Sequence, residues 1–341
     1  MTAAKEAVRV AIAGASSLLG KELKVWLEES NFPASHIRLV DEEFVAGTLT
    51  EAAGEPAIIE TVTEERFERV RFVFFTGSPE FSKRHAAEAR RAGAVVIDLS
   101  GGLGTDANAR LWIPPLDAVL TSPAESVPPG EPQSLFVVPA APADAAISIS
   151  AALAPAGLER LVVTVLLPVS EHGPEAIEEL ESQVVKLLSF QPIPQTVFDT
   201  QVGFNLLSSY GPESGIKLAD ARKRITNESR RYLAGRAPLP AILPVQAPVF
   251  YSHAFAAYAE FKSAPELDDL AARLQHAGLK VARAKDEPPT NVNVVGESRP
   301  VLKQPERDPG IETGVWLWGA ADNLRVPAAS AVAIAEKLLA S

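Results

Sequence analysis

Two spacings of apolar residues divide this chain. From Val8 the segment VRVAIAG is almost continuously apolar, and GKELKVWLEES then sets Leu23, Trp26 and Leu27 at helical spacing. IRLV, RFVFFTG, AVVIDLS and LFVVP repeat the apolar run, and FSKRHAAEARRAG repeats the helical pattern between two of them. Nearly unbroken apolar strands separated by helices predict a Rossmann-like α/β domain, with a doubly wound parallel sheet over residues 1–140. Residues 104–134 are rich in Pro, Gly and Ser and predict loop.

Beyond residue 140 the pattern changes. LERLVVTVLLPVS predicts a long strand, and PEAIEELESQVVKLLS an amphipathic helix with proline at its start. PVQAPVFYSHAFAAYAEF and TGVWLWGAA predict further strands, and APELDDLAARLQHAG completes an α+β domain over residues 141–325. A last helix, opened by Pro327 within residues 326–341, is expected to return to the first domain. The second-domain strands are apolar on both faces, so helices cannot cover them alone and a homodimer is expected.

Composition narrows the function classes. The chain of 341 residues is 47% hydrophobic and 22% charged, an ordinary globular balance. Its longest apolar runs are too short for a membrane span, and the first strand starts too early for a signal peptide. A cytoplasmic protein is therefore expected. The net charge of −11 opposes binding to nucleic acid or an anionic membrane. One stretch runs the other way. KLADARKRITNESRRYLAGR carries Lys217, Arg222, Lys223, Arg224, Arg230, Arg231 and Arg236, either a solvated helix face or a surface for a small anionic metabolite. With no cysteine, thiolate catalysis, disulfides and thiolate zinc sites are excluded, and the five histidines have no metal-ligand spacing.

Two stretches carry candidate chemistry. In VAIAGASSLLGKEL, Gly14 and Gly20 bracket a strand-to-helix turn of the kind that cradles a dinucleotide pyrophosphate on backbone N–H groups. Ser16, Ser17, Leu18 and Leu19 fill the turn, with Ser17 where the middle glycine of the fingerprint would stand. Asp41 follows the second strand, placed to accept the adenosine ribose hydroxyls and, with Glu42 and Glu43, to repel a 2′-phosphate. The charge favours NAD over NADP, and Ser17 predicts weak binding. VVPAAPADAAISISAAL predicts a strand, a proline-kinked turn and an alanine-rich helix. α/β enzymes often keep a nucleophile at such a turn; this one offers a single carboxylate, Asp144.

Over nearly its whole length the chain resembles the aspartate-semialdehyde dehydrogenase family. GASSLLGKEL parallels the family's GATGAVG turn, and FFTGSPEFSKRHAAEARRAGAVVIDLS its FSAGGSVS…AGAVVIDNSS region. VSEHGPEAIEEL follows VSGAGxxAIxEL, PVFYSHA follows PVFxGHS, and RDPGIETGVWLWGAADNLR follows RDP…GLxxWVVADNLR. The resemblance implies reduction of an aspartyl phosphate to its semialdehyde through a cysteine thioacyl intermediate, with a histidine acid/base and two substrate-holding arginines. It implies that Asn323 joins the cofactor contacts.

Carried over residue by residue, most of that machinery is missing. The family's N-P-N-C-S-T turn falls on Ala141–Ala146, which puts Asp144 at the nucleophile's position. The family glutamine falls on Leu167, and its arginines on Gly104 and Gln246. The histidine is kept as His253, the glutamate of the basic helix as Glu228, and the family lysine becomes Arg231. Catalytic groups act as a unit, so these losses point to a non-catalytic homologue with residual NAD binding. The alternative is an oxidoreductase or hydrolase acting on a different small anionic substrate of amino-acid metabolism, with Asp144, His253 and Glu228 in acid/base roles.

Overall fold

The computed structural model describes residues 8–52, 55–120, 134–283 and 285–340. Part of the Pro-rich tract expected as loop, residues 121–133, lies outside them. The chain forms two compact units. One holds the described residues of Met1–Pro114, Glu125–Ala140 and Pro327–Ser341, the other those of Pro115–Ala124 and Ala141–Val326.

The first unit is a seven-stranded sheet. Its elements are β1 (Val8–Ala13), α1 (Leu18–Glu29), β2 (Ala34–Asp41), the hairpin β3 (Leu49–Ala52) and β4 (Glu55–Ile58), β5 (Glu60–Thr61), β6 (Phe72–Phe75), α2 (Pro79–Arg91), β7 (Val95–Asp98), β8 (Arg110–Leu111) and β9 (Leu135–Val137). The strand order is β5-β2-β1-β6-β7-β9-β8, and every neighbouring pair is parallel. All four residues of β6 are buried, as a strand covered on both faces requires. The chain leaves β1 for β2 on one side and returns to β6 on the other, so the turn after β1 opens at the switch point where α/β folds take ligands. The C-terminal helix, Arg325–Ala340, packs Ala328, Ala331, Val332 and Ile334 into the core with Val10, Ile12 and Phe72. It starts two residues before Pro327, because the Asp322 carboxylate accepts the Leu324 and Arg325 N–H groups, each at 2.9 Å.

The second unit comprises α3 (Ala141–Leu153), β10 (Leu158–Leu167), α4 (Pro174–Leu188), α5 (Leu218–Leu233), β11 (Ala241–Gln246), β12 (His253–Phe261), α6 (Leu267–His276), β13 (Lys280–Val281), β14 (Val301–Leu302), β15 (Glu306–Arg307) and β16 (Gly314–Ala321). These strands form a mixed sheet, β11-β10-β12-β16-β14-β13, with β15 on β16. On one face Val163, Ala257 and Leu317 are buried under helices, with α3 against α5 and α6. The other face presents the cross-strand row Val162–Tyr258–Trp316 and, beside it, Leu243–Thr164–Ala256–Trp318. Val162, Leu243, Trp316 and Trp318 on that face are exposed. The basic helix α5 ends at Ala234, whose left-handed φ of 45° caps it, so Arg236 falls beyond the helix.

Candidate functional site

The turn after β1 is built for close backbone approach. Gly14 has φ +91°, and a Cβ there would lie 2.2 Å from the Gly77 nitrogen. A Cβ on Gly20 would lie 2.5 Å from the Gly14 carbonyl oxygen. Ser17 is the N-cap of α1: its Oγ accepts the Gly20 N–H at 2.9 Å and donates to the Thr76 carbonyl at 2.8 Å. That hydroxyl is folded into the turn, away from the space its sequence position suggests it would obstruct. Leu18 and Leu19 open the helix, where N–H groups lack helical partners. Asp41, buried at the end of β2, accepts the Ser16 N–H at 2.8 Å on one oxygen and the Glu42 N–H at 2.9 Å on the other. The glycine cradle and an acid beside it fit a dinucleotide, and Asp41 already occupies the Ser16 amide.

In the second unit, three positions inferred from sequence meet in one row of the sheet. Leu167 of β10 pairs with Gln246 of β11, and Leu166 pairs with Ala254 of β12, which brings Leu167 opposite His253 one step further on. His253 in turn pairs with Ala321. Ala321 packs on Ala141 and Val326, so the first turn of α3, with Asp144, begins at the same end of the sheet as His253. All thirteen residues of α3 are buried, and Asp144 lies in the first turn of that helix, beyond the three-residue connection 138–140 that follows β9. Although its immediate neighbours bear no donors, Ser148 one helical turn on donates to the Asp144 carboxylate at 3.2 Å. Glu228 is buried on α5 and takes the Arg224 guanidinium at 2.8 Å, so that basic side chain is committed within the protein.

His253 is completely buried, and neither ring nitrogen has a hydrogen-bond partner; the Oγ of Ser252 beside it has none either. Burial alone pushes the His253 imidazole down to about 3, so it is neutral at physiological pH. Ser252 holds a left-handed φ of 60° and donates its N–H to the Asn323 Oδ1 at 2.9 Å. The Asn323 amide also donates to Ser170 Oγ at 3.1 Å, which makes it a tie between the end of β16 and the turn after β10. Glu171 in that turn is reached by solvent yet ringed by protein. The enclosure raises its carboxyl above the usual range, while Arg224 and Asn323 pull it down and Glu228 raises it further.

A second polar network went unrecognised in the sequence. Gln246 donates its amide to the Leu167 and Ala247 carbonyls, each at 2.9 Å, which fixes its Oε1 as an acceptor. Tyr210 donates its hydroxyl to that oxygen at 2.8 Å, so His172 Nε2, 2.8 Å from the same hydroxyl, must be the donor to it. Burial holds His172 neutral, lowering it to about 4, and raises the Tyr210 phenol. The rings of His172 and Tyr210 each meet Phe198 edge-on. One signal was visible beforehand: VSEHG departs from the resembled VSGAG at Glu171 and His172. Tyr210 gave none, since it lies in the stretch without regular elements between α4 and α5. Gly104 sits in the loop after β7, which the buried Asp98 holds by accepting the Ser100 and Leu103 N–H groups.

A parallel sheet with a glycine-bracketed turn at its switch point, followed by a mixed-sheet unit, gives a two-unit chain whose first unit has the Rossmann-like architecture. Residues 9–122 match the semialdehyde dehydrogenase NAD binding domain, and residues 150–326 the semialdehyde dehydrogenase dimerisation domain. The chain belongs to the semialdehyde dehydrogenase family. It is 29% identical to a USG-1 protein homolog of Azotobacter vinelandii over 98% of both chains. It is 27% identical to aspartate-semialdehyde dehydrogenase 2 of Vibrio cholerae over 97% of both. The solved structure of a probable aspartate-semialdehyde dehydrogenase from Pseudomonas aeruginosa superimposes with a TM-score of 0.87 at 26% identity, covering 98% of this chain and 99% of that one. Among the described residues, no helix is long and apolar enough to cross a membrane and no His, Cys, Asp or Glu cluster could hold a metal.

Proposed function

We propose that this chain is a non-catalytic member of its family that keeps a dinucleotide site and acts through binding and pairing. The observation that carries the reading is Asp144, a buried carboxylate in the first turn of α3 at the position the resemblance gives to the nucleophile. A carboxylate there forms no thioester and repels an anionic substrate. The sealed, neutral His253 supports the same reading, because an acid/base group must reach the proton it moves. Gln246, at an arginine's position, has spent its amide on two carbonyls and supplies no positive charge. Arg224 is committed to Glu228, which weakens the case for an anionic metabolite on the basic helix.

The nucleotide is NAD, held by the turn from Gly14 to Gly20 with Asp41 toward the ribose. The acid repels a 2′-phosphate. Asn323 is a structural tie in this reading, with its amide engaged by Ser170 and Ser252. The exposed face of the second-unit sheet pairs with a second copy. Calorimetry with NAD and NADP tests the nucleotide half: NAD binding that exceeds NADP binding is expected, and the reverse order overturns it.

A further inference from the structure

We propose that Phe44 is the stacking platform for the adenine ring of the bound dinucleotide. This rests on the NAD reading above and extends it to a residue that the glycine-rich turn did not bring to notice. Phe44 is 87% exposed, which leaves almost its whole ring in water. Large apolar side chains on a surface are usually incidental, but the backbone around this one is fixed on every side. Asp41, three residues earlier, is locked to the Ser16 and Glu42 N–H groups. Glu42 accepts the Arg84 guanidinium of α2 at 2.8 Å. The chain then makes a single helical turn, Glu43–Val45, closed by the Val45 N–H on the Glu42 carbonyl at 3.1 Å. Just beyond it the Gly47 N–H reaches the Ile59 carbonyl at 2.8 Å.

An aromatic ring on a pinned turn, one short turn past the acid that faces the ribose, lies where the base must continue once its ribose is held. The ring offers a flat apolar face at little entropic cost, since only its two side-chain torsions have to settle. Adenine has no charge, so the acidic neighbours do not repel it, whereas the same residues disfavour an added phosphate.

Titration calorimetry with AMP, NAD and nicotinamide mononucleotide tests this on wild type, Phe44→Ala and Phe44→Tyr. Losing one base–aromatic stack weakens AMP and NAD binding by about fivefold or more in Phe44→Ala. Phe44→Tyr retains wild-type affinity, and nicotinamide mononucleotide, which lacks adenine, binds all three alike. Wild-type AMP affinity in Phe44→Ala overturns the proposal while leaving the NAD reading intact. Absence of AMP and NAD binding to the wild-type chain overturns both. The ring is already in water, so the substitution leaves the fold unaffected, and an unchanged melting temperature confirms it.

Discussion

The Asp41 carboxylate closes onto the Ser16 backbone N–H at 2.8 Å, joining the end of β2 to the glycine-bracketed turn after β1. Its second oxygen holds the Glu42 N–H at 2.9 Å, and the side chain is buried. One residue therefore shapes the turn and sets the charge beside it, and the proposed NAD reading turns it toward the ribose.

Asp41→Ala leaves two N–H groups without their acceptor. It should lower stability by about 1–3 kcal/mol and NAD affinity by about tenfold. The variant should also lose its preference for NAD over NADP. Urea unfolding and calorimetry with both dinucleotides check this; unchanged NAD affinity counts against the ribose role.

Tyr210→Phe removes the hydroxyl that joins His172 to Gln246. The Gln246 Oε1 is then a buried acceptor with no donor, at a cost of about 1–3 kcal/mol. Equilibrium unfolding should show that loss without a change in NAD affinity. A neutral substitution means that water replaces the phenol.

The fold shows how far hydrophobic spacing carries. β6 and β10 were legible because continuous apolar runs admit few other readings, and the Gly14 to Gly20 turn because its glycines bracket a helix start. The hairpin β3–β4 was not. Its strands have four residues each and leave Leu49 and Ile58 exposed, so no alternation betrays a buried face. The start of the last helix was misplaced because Pro327 drew attention from the capping carboxylate of Asp322. Gln246 was legible as a missing arginine. Its partner Tyr210 was not, because that contact depends on how an irregular stretch folds back rather than on any local pattern.

The half-buried His172 and the buried His253 make stability depend on pH in a definite direction. In the unfolded chain each takes up a proton near 6.5, whereas in the fold His172 does so only at about 4 and His253 at about 3. Between those values the unfolded state binds more protons, so stability falls as pH drops from about 6.5 toward 4. The slope is about 1.4 kcal/mol per pH unit for each histidine. His253→Asn should remove one histidine's share of that slope in urea titrations at several pH values; an unchanged slope means that His253 is protonated in the fold.

The exposed row of Val162 and Trp316 and the neighbouring Leu243 and Trp318 call for a partner surface. Sedimentation equilibrium at micromolar concentration should give twice the chain mass for the wild type. Trp318→Glu should shift the population to monomer; a wild type that stays monomeric counts against pairing through this face.

Catalytic silence is the central claim, and steady-state turnover tests it most directly. The purified chain is incubated at high concentration with aspartate semialdehyde, phosphate and either NAD or NADP, and reduced cofactor is followed by absorbance. The account predicts no phosphate-dependent reduction above buffer. It predicts none from Asp144→Cys either, because Gly104 and Gln246 supply no cation to hold the substrate. Phosphate-dependent formation of NADH or NADPH by the wild-type chain, abolished in His253→Ala, contradicts it.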